Sequence, residues 1–192
     1  CFIDSFGNGG AQKQMMILAN GLDEKGYCVE ILQYKEKDFF LKNINSSIIQ
    51  NIVGKKKLFR VFNILYFLYK SNPYAIVSFL HGPNNYSALY KLLFFARKTK
   101  LIIGERNINI KDFTLVDRLI RFSHLFADYV VCNSKFQTEK IMEAFKLRAF
   151  FIPNGIESKK IKSKNFESKS KNLKLIIPVS GFIIFGISHS IR

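Results

Sequence analysis

Apolar positions in this chain come in short blocks, and the blocks alternate with longer stretches of helical period. Runs at 1–6, 28–34, 75–80, 101–104, 129–132 and 150–152 have the length of buried strands. A shorter candidate strand covers 47–52. After the first run, Ala11, Met15, Leu18, Ala19 and Leu22 recur at i, i+4, i+7, i+8 and i+11, one face of a helix over 10–25. Gly26 stands where a C-terminal glycine stop belongs. Similar stretches predict helices over 56–71, 85–97, 112–127 and 135–146, with loops at 35–42 and 81–84. Ser134 reads as an N-cap, and Gln137 three residues on completes a capping box. Strands separated by helices of this length make parallel β-α-β units. The predicted fold class is therefore α/β, a doubly wound, mostly parallel sheet.

In such sheets ligands gather outside the carboxyl ends of the strands. Five polar clusters fall there: Gly7-Asn8-Gly9-Gly10, His81-Gly82-Pro83-Asn84-Asn85, Glu105-Arg106-Asn107, Asn133-Ser134 and Asn154-Gly155. One cluster would mean little, but five at successive strand ends form a rim. The glycine turn opens the first helix, so its backbone N–H groups and the positive helix end point at whatever lies above the strand. The plain alternative is a tight strand-to-helix turn and nothing more. A dinucleotide fingerprint is excluded, because Gln12 stands where the third glycine would fall and Glu30 lies inside its run rather than at the end. A Walker loop is excluded because no G-K-[ST] follows.

Composition then narrows the class. With 192 residues, 48% hydrophobic, and a mean hydropathy of +0.04, the chain has enough apolar surface for one well-buried domain. The net charge of +16, from 30 Lys+Arg against 14 Asp+Glu, favours anionic partners: nucleic acid, an anionic bilayer or phosphorylated substrates. Cys1, Cys28 and Cys132 form no C-x-x-C, so neither a zinc site nor a disulfide framework is expected. Cys28 and Cys132 read as small core residues in a reducing compartment. No run reaches the roughly 20 apolar residues of a membrane span, and no secretory signal is visible. Residues 158–172 turn rich in Lys and Ser and read as a solvated linker. Residues 173–192 read as the start of a second domain that is cut off in an aberrant tail, and a true N-terminus ahead of Cys1 is expected.

The ordered motifs resemble the amino-terminal half of glycosyltransferase family 4, retaining enzymes of the two-domain GT-B fold. They are Asp4-Ser5-Phe6-Gly7-Asn8-Gly9-Gly10-Ala11-Gln12, Leu18-Ala19-Asn20-Gly21-Leu22, Gly26-Tyr27-Cys28-Val29, Val77-Ser78-Phe79-Leu80-His81-Gly82-Pro83-Asn84, Ile103-Gly104-Glu105-Arg106-Asn107, Ala127-Asp128-Tyr129-Val130-Val131-Cys132-Asn133-Ser134 and Ile152-Pro153-Asn154-Gly155-Ile156. The resemblance covers 1–157. It implies a Rossmann-like acceptor-binding domain whose Gly9 and Gly10 face the diphosphate of a nucleotide-sugar donor. It also implies acceptor contacts from His81, Asn84, Asn85, Glu105, Arg106 and Asn107, and a hinge at Asn154 and Gly155. Glu105 holds a place where the family often carries a histidine, so Glu105 and His81 are the catalytic candidates. The family's paired donor-sugar glutamates belong to the other half. The implied activity is transfer of a sugar to a polyprenyl-diphosphate-linked glycan in cell-surface polysaccharide synthesis, with this half inactive alone. No cofactor or metal is implied. The implied location is cytoplasmic, or peripheral on the inner membrane face.

Each candidate also has a plainer reading. A histidine at a strand end is often structural, Glu105 and Arg106 would otherwise form an exposed ion pair, and His124 reads as packing. The stretch 55–70 is a basic-flanked helix, apolar on most of its circumference, with Arg60 and Asn63 on the remaining stripe. It reads either as a core helix or as an interfacial helix on an anionic membrane. The composition leaves a second function open, a basic α/β module binding nucleic acid non-specifically. No DNA- or RNA-binding motif appears in its support, and no specific nucleic acid is expected as a partner.

Overall fold

A computed structural model describes residues 1–54, 56–106 and 121–155 of the chain. Two compact units are present, Cys1–Pro153 and Asn154–Arg192, and only Asn154 and Gly155 of the second are described.

In the first unit every described strand pair is parallel. Strand β1 (Glu30–Gln33) pairs with β2 (Ile49–Ile52), and β3 (Ala75–Phe79), β4 (Lys100–Glu105), β5 (Tyr129–Cys132) and β6 (Ala149–Phe151) pair in that order. The segment 1–5 joins the two groups. Phe2 bridges Leu32 on one side and Ser78 on the other. Its N–H donates to Val77 O (2.8 Å), and its carbonyl accepts from Phe79 N (3.1 Å). On the other edge Leu32 N donates to Cys1 O, and Ile3 N donates to Leu32 O. The chain therefore runs outward through β1 and β2, returns across the centre, and continues through β3 to β6. This is the reversal of strand order that opens a crevice in doubly wound sheets.

Helices α1 (Gly10–Asp23), α2 (Arg60–Ser71), α3 (His81–Leu93) and α4 (Lys135–Phe145) form the connections. Alternate side chains of the central strands sort to opposite faces, as the two-residue strand period requires. Ile3, Ile31 and Phe79 join Met15, Met16 and Ala19 of α1 in one core. Phe2, Leu32, Ile76, Leu101 and Ile103 join Ile64, Leu68, Ala88 and Tyr90 of α2 and α3 in another. Val130, Cys132 and Ala149 pack with Ile141 of α4 in a third cluster. The predicted α/β, mostly parallel architecture is the observed one.

Several local expectations change. The predicted loop at 81–84 is the first turn of α3. Pro83 signals a break in the sequence, but in the opening turn of a helix its missing N–H has no intrahelical partner to lose. The helix predicted to 97 ends at Leu93, with a 3₁₀ turn after it at Phe95–Arg97. Of the helix predicted over 112–127, residues 112–120 lie outside the described residues, and Phe122–Phe126 form a 3₁₀ helix. Cys28 is exposed rather than core, whereas Cys132 is buried. Ser134 caps α4 by accepting from Gln137 N (3.5 Å), but Gln137 Oε1 has no partner, so the reciprocal half of the capping box is not made. Gly26, at φ +82°, closes α1 with Gly26 N donating to Asp23 O and Tyr27 N to Leu22 O.

Glycine at 104 is a packing requirement. A Cβ there would stand 2.3 Å from the buried Phe79 ring, whereas one at Gly10 would meet nothing within 4 Å. Gly104→Ala is expected to cost about 1–3 kcal/mol by overpacking. Gly10→Ala is expected to cost nothing, since alanine is the better helix former. Urea unfolding midpoints of the two variants measure the contrast.

Candidate functional site

The order reversal lies between the segment 1–5 and β3, so the site is built from the turns at the carboxyl ends of these two strands. Beyond the segment comes the buried Phe6, tied to the neighbouring loop by Phe6 N to Lys37 O and Phe40 N to Phe6 O. The chain then turns through Gly7-Asn8-Gly9 into α1. Gly9 is the N-cap, in extended conformation, with no side-chain cap, and the first turn carries no acid. The positive end of α1 is thus left to solvent or a ligand. Gly10 faces open space, while the Gln12 side chain lies over Gly9. Gln12 Nε2 reaches Asp4 Oδ1 (3.4 Å), and Lys35 Nζ neutralises Asp4 Oδ2 at 2.6 Å. Lys37 packs its stem against Gly7. An uncapped helix start with Lys37 beside it suits an anion.

Across the reversal, β3 ends at Phe79 and α3 starts at His81. Between them Leu80 takes φ 74°, ψ 154°, a backbone region that side chains rarely enter. Position 82 is glycine because Tyr34 leaves no room for more, its hydroxyl standing 2.4 Å from where a Cβ would be. Tyr34 is buried at the end of β1, edge-on to Phe2 and Tyr86, with the Arg60 guanidinium 4.6 Å above its ring. Burial, then the Asp4 carboxylate, push its phenol above the ordinary range, so it stays a neutral hydroxyl. His81 is half-buried at the first position of α3. Asn84 is 1% exposed and lies inside, and Asn85 is half-buried with a covered Oδ1.

At the end of β4 the two charged candidates part company. The exposed Glu105–Arg106 ion pair of the plainer reading does not form. Glu105 is 3% exposed, and its Oε2 accepts from Arg121 Nε at 3.2 Å. His124 Nε2 approaches the same oxygen at 3.4 Å without hydrogen-bond geometry. Its Nδ1 lies 2.9 Å from the Arg121 carbonyl, so that nitrogen carries a proton, and its ring stacks on Phe145. Burial alone would raise the Glu105 carboxyl. His124, Arg121 and His81 outweigh burial and hold it below the ordinary carboxylate range. Arg106 turns the other way, its guanidinium 4.2 Å over the Phe79 ring, and burial lowers it to about 10, still charged at neutral pH. Burial and then Glu105 push the Cys132 thiol up to about 11, leaving it protonated and inert.

Several of these groups meet along the carboxyl edge. Gln12 touches Asp4, Tyr34 N donates to Asp4 O (3.2 Å), the Tyr34 hydroxyl meets Gly82, and Arg106 lies on Phe79. Gly9, Gly10, His81 and Arg106 stand at the carboxyl ends of neighbouring strands, with Glu105 and Asn84 buried beneath. Asn107 lies outside the described residues. Asn154 is exposed and Gly155 half-buried in the second unit. Nothing in the sequence marks Tyr34, Lys35, Arg121 or His124 as rim residues, since each takes part only through contacts distant along the chain. Among the described residues no cluster of three metal-ligating side chains occurs, and no helix is long and apolar enough to cross a membrane. A depression of about 430 Å³ lies at the opposite edge, between Tyr74, Lys91, Phe95 and Lys100.

No protein-family model and no curated protein matches this sequence. Among solved structures the chain is similar to a sucrose-phosphate synthase from Thermosynechococcus elongatus. The TM-score is 0.52 at 15% identity, over 81% of this chain and 89% of that one. At this identity the likeness shows the fold, a Rossmann-like α/β unit of the kind found in GT-B glycosyltransferases. A short-chain dehydrogenase/reductase from Burkholderia vietnamiensis superposes at a TM-score of 0.35 with 8% identity, over 83% of this chain and 84% of that one, and carries no argument.

Because the folded Glu105 carboxyl titrates below its unfolded value, its contribution to stability is complete above the ordinary carboxylate pKa. That contribution fades as pH falls through the depressed folded value. Glu105→Gln is expected to cost about 1.5–3 kcal/mol at neutral pH by removing the carboxylate that accepts the Arg121 Nε hydrogen bond. The difference from wild type should shrink in acid. Urea unfolding across a pH series checks both.

Proposed function

We propose that residues 1–155 form the acceptor-side half of a retaining sugar transferase related to glycosyltransferase family 4. The observation that carries this reading is the uncapped start of α1, open above Gly10, at the point where the strand order reverses. Gly9 and Gly10 face the diphosphate of a nucleotide-sugar, with Lys37 adding positive charge beside the turn. His81, Asn85 and Arg106 meet the acceptor from the α3 and β4 side. Glu105 acts as a positioning residue, holding the 3₁₀ turn Phe122–Phe126 at the end of β4 through Arg121 and His124. Asn84, in the interior, supports the first turn of α3, whose opening bond runs from Asn84 N to Leu80 O (3.0 Å). Asn107 belongs with the acceptor contacts, and Asn154 and Gly155 lead into the hinge.

The acceptor is a glycan on a polyprenyl diphosphate, used in cell-surface polysaccharide assembly on the cytoplasmic side of a membrane. Groups that select and hold the donor sugar belong to a second domain beyond that hinge. Residues 1–155 therefore bind but do not turn over, and no resident cofactor takes part.

Two measurements test this. Calorimetric titration with a nucleoside diphosphate is expected to show binding that Gly10→Val weakens about tenfold, by blocking approach to the helix start. Absence of binding in the parent chain would contradict the diphosphate site. Incubating the chain with nucleotide-sugars and a lipid-diphosphate acceptor is expected to give background transfer only. Turnover well above background would contradict the claim that this half is inactive alone.

A further inference from the structure

Helix α2 buries only Ile64 and Leu68 fully. On the opposite side Phe59, Phe62, Tyr66 and Tyr69, spaced three and four apart, fall in one sector of the helix and face solvent. Phe62 is 72% and Tyr66 67% exposed, and Leu58 at the preceding 3₁₀ turn is 81% exposed. The core reading of this helix accounts for one stripe and leaves Phe59, Phe62 and Tyr66 exposed.

The stripe does not stop at the end of α2. Tyr69 packs against Phe94 with ring centroids 5.1 Å apart, and Arg97 lies 3.8 Å over Tyr69 while donating to its carbonyl and to Asn72 Oδ1. Phe94 lines the depression at the amino edge of the sheet, whose rim carries Tyr74 and Phe95, each 80% exposed. Leu92 and Leu93 at the end of α3 are also about half exposed. Aromatic and aliphatic surface thus runs from α2 to this edge.

The helices of this flank carry no acid, since neither α2 nor α3 contains Asp or Glu. Lys56 and Lys57 precede α2, Lys70 lies in its last turn, and Lys91, Lys98 and Lys100 line the depression with Arg97 beside it. The acid that does reach the depression, Asp128, is taken up by Lys91 and Lys100 and by Leu101 N.

We propose that this α2–α3 flank is a docking surface for an anionic lipid bilayer. Phe59, Phe62 and Tyr66 enter the headgroup–acyl boundary, and Lys56, Lys57, Lys70 and Lys98 meet lipid phosphates. Charge selects this occupant over a second copy of the chain, because two such flanks repel each other. The exposed Leu58, Leu92 and Leu93 favour hydrocarbon over nucleic acid, since leucine offers no π-face for a base to stack on and no polar group for a base edge. The inference stands on surface composition and does not require the transferase reading.

The test is co-sedimentation of the full 192-residue chain with phosphatidylcholine vesicles, with and without phosphatidylglycerol. Binding is expected to the anionic vesicles, to be far weaker on neutral ones, and to fall as salt rises. Phe62→Ser with Tyr66→Ser, and separately Lys56→Glu with Lys57→Glu, should each weaken it about tenfold or more. Phe136→Ser, an exposed aromatic on α4, should leave it unchanged. Circular dichroism of each variant confirms the fold. Equal binding to both vesicle types, or indifference to both double variants, overturns the proposal. So does retention on single-stranded DNA in place of vesicles, or a dimer, that the same variants abolish.

Discussion

The structure depends on one stretch of backbone paired on both edges. Phe2 and its neighbours donate and accept across to β1 on one side and β3 on the other, so two small parallel ladders become one sheet. Without those bonds β1–β2 and β3–β6 would be separate sheets with open edges. With them the sheet has a centre, a reversal of strand order, and two faces that α1 and the α2–α3 pair cover separately. Phe2, Ile3 and Phe6 are nearly inaccessible because they fill the middle of this arrangement.

The site arises from the same constraint. Strands that are all parallel bring their carboxyl ends to one edge, and at the reversal α1 and α3 leave from neighbouring strands. Close packing fixes what lies there. Gly82 yields to Tyr34, Gly104 yields to Phe79, and the Phe79 ring in turn carries Arg106. Beneath it a buried carboxylate, guanidinium and imidazole tie the 3₁₀ turn Phe122–Phe126 to the end of β4.

The alternation of strands and helices is legible in the sequence because each helix carries a 3.6-residue period and each strand is short and apolar. The glycine turn is legible because glycine before such a helix has few other uses. The start of α3 is not, since Pro83 signals a break until its position in the first turn is known. Cys28 misleads because an apolar run says nothing about which residues lie before the strand proper begins at Glu30. For α2, an apolar surface on most of the circumference gives no way to tell the stripe that packs from the stripe that does not. The partners of Glu105 are beyond reach for another reason. Arg121 lies 16 residues away in sequence and joins it only through the fold, so adjacency favours Arg106 instead.

The central claim is that the reversal of strand order makes an anion site between the starts of α1 and α3. Amide chemical shifts of the labelled chain during titration with inorganic diphosphate test it most directly. The account predicts saturable changes concentrated at Gly9, Gly10 and Ala11, with smaller ones at His81 and Gly82. Changes centred on Lys91, Lys98 and Lys100 at the opposite edge, or spread evenly over the surface lysines, would contradict it.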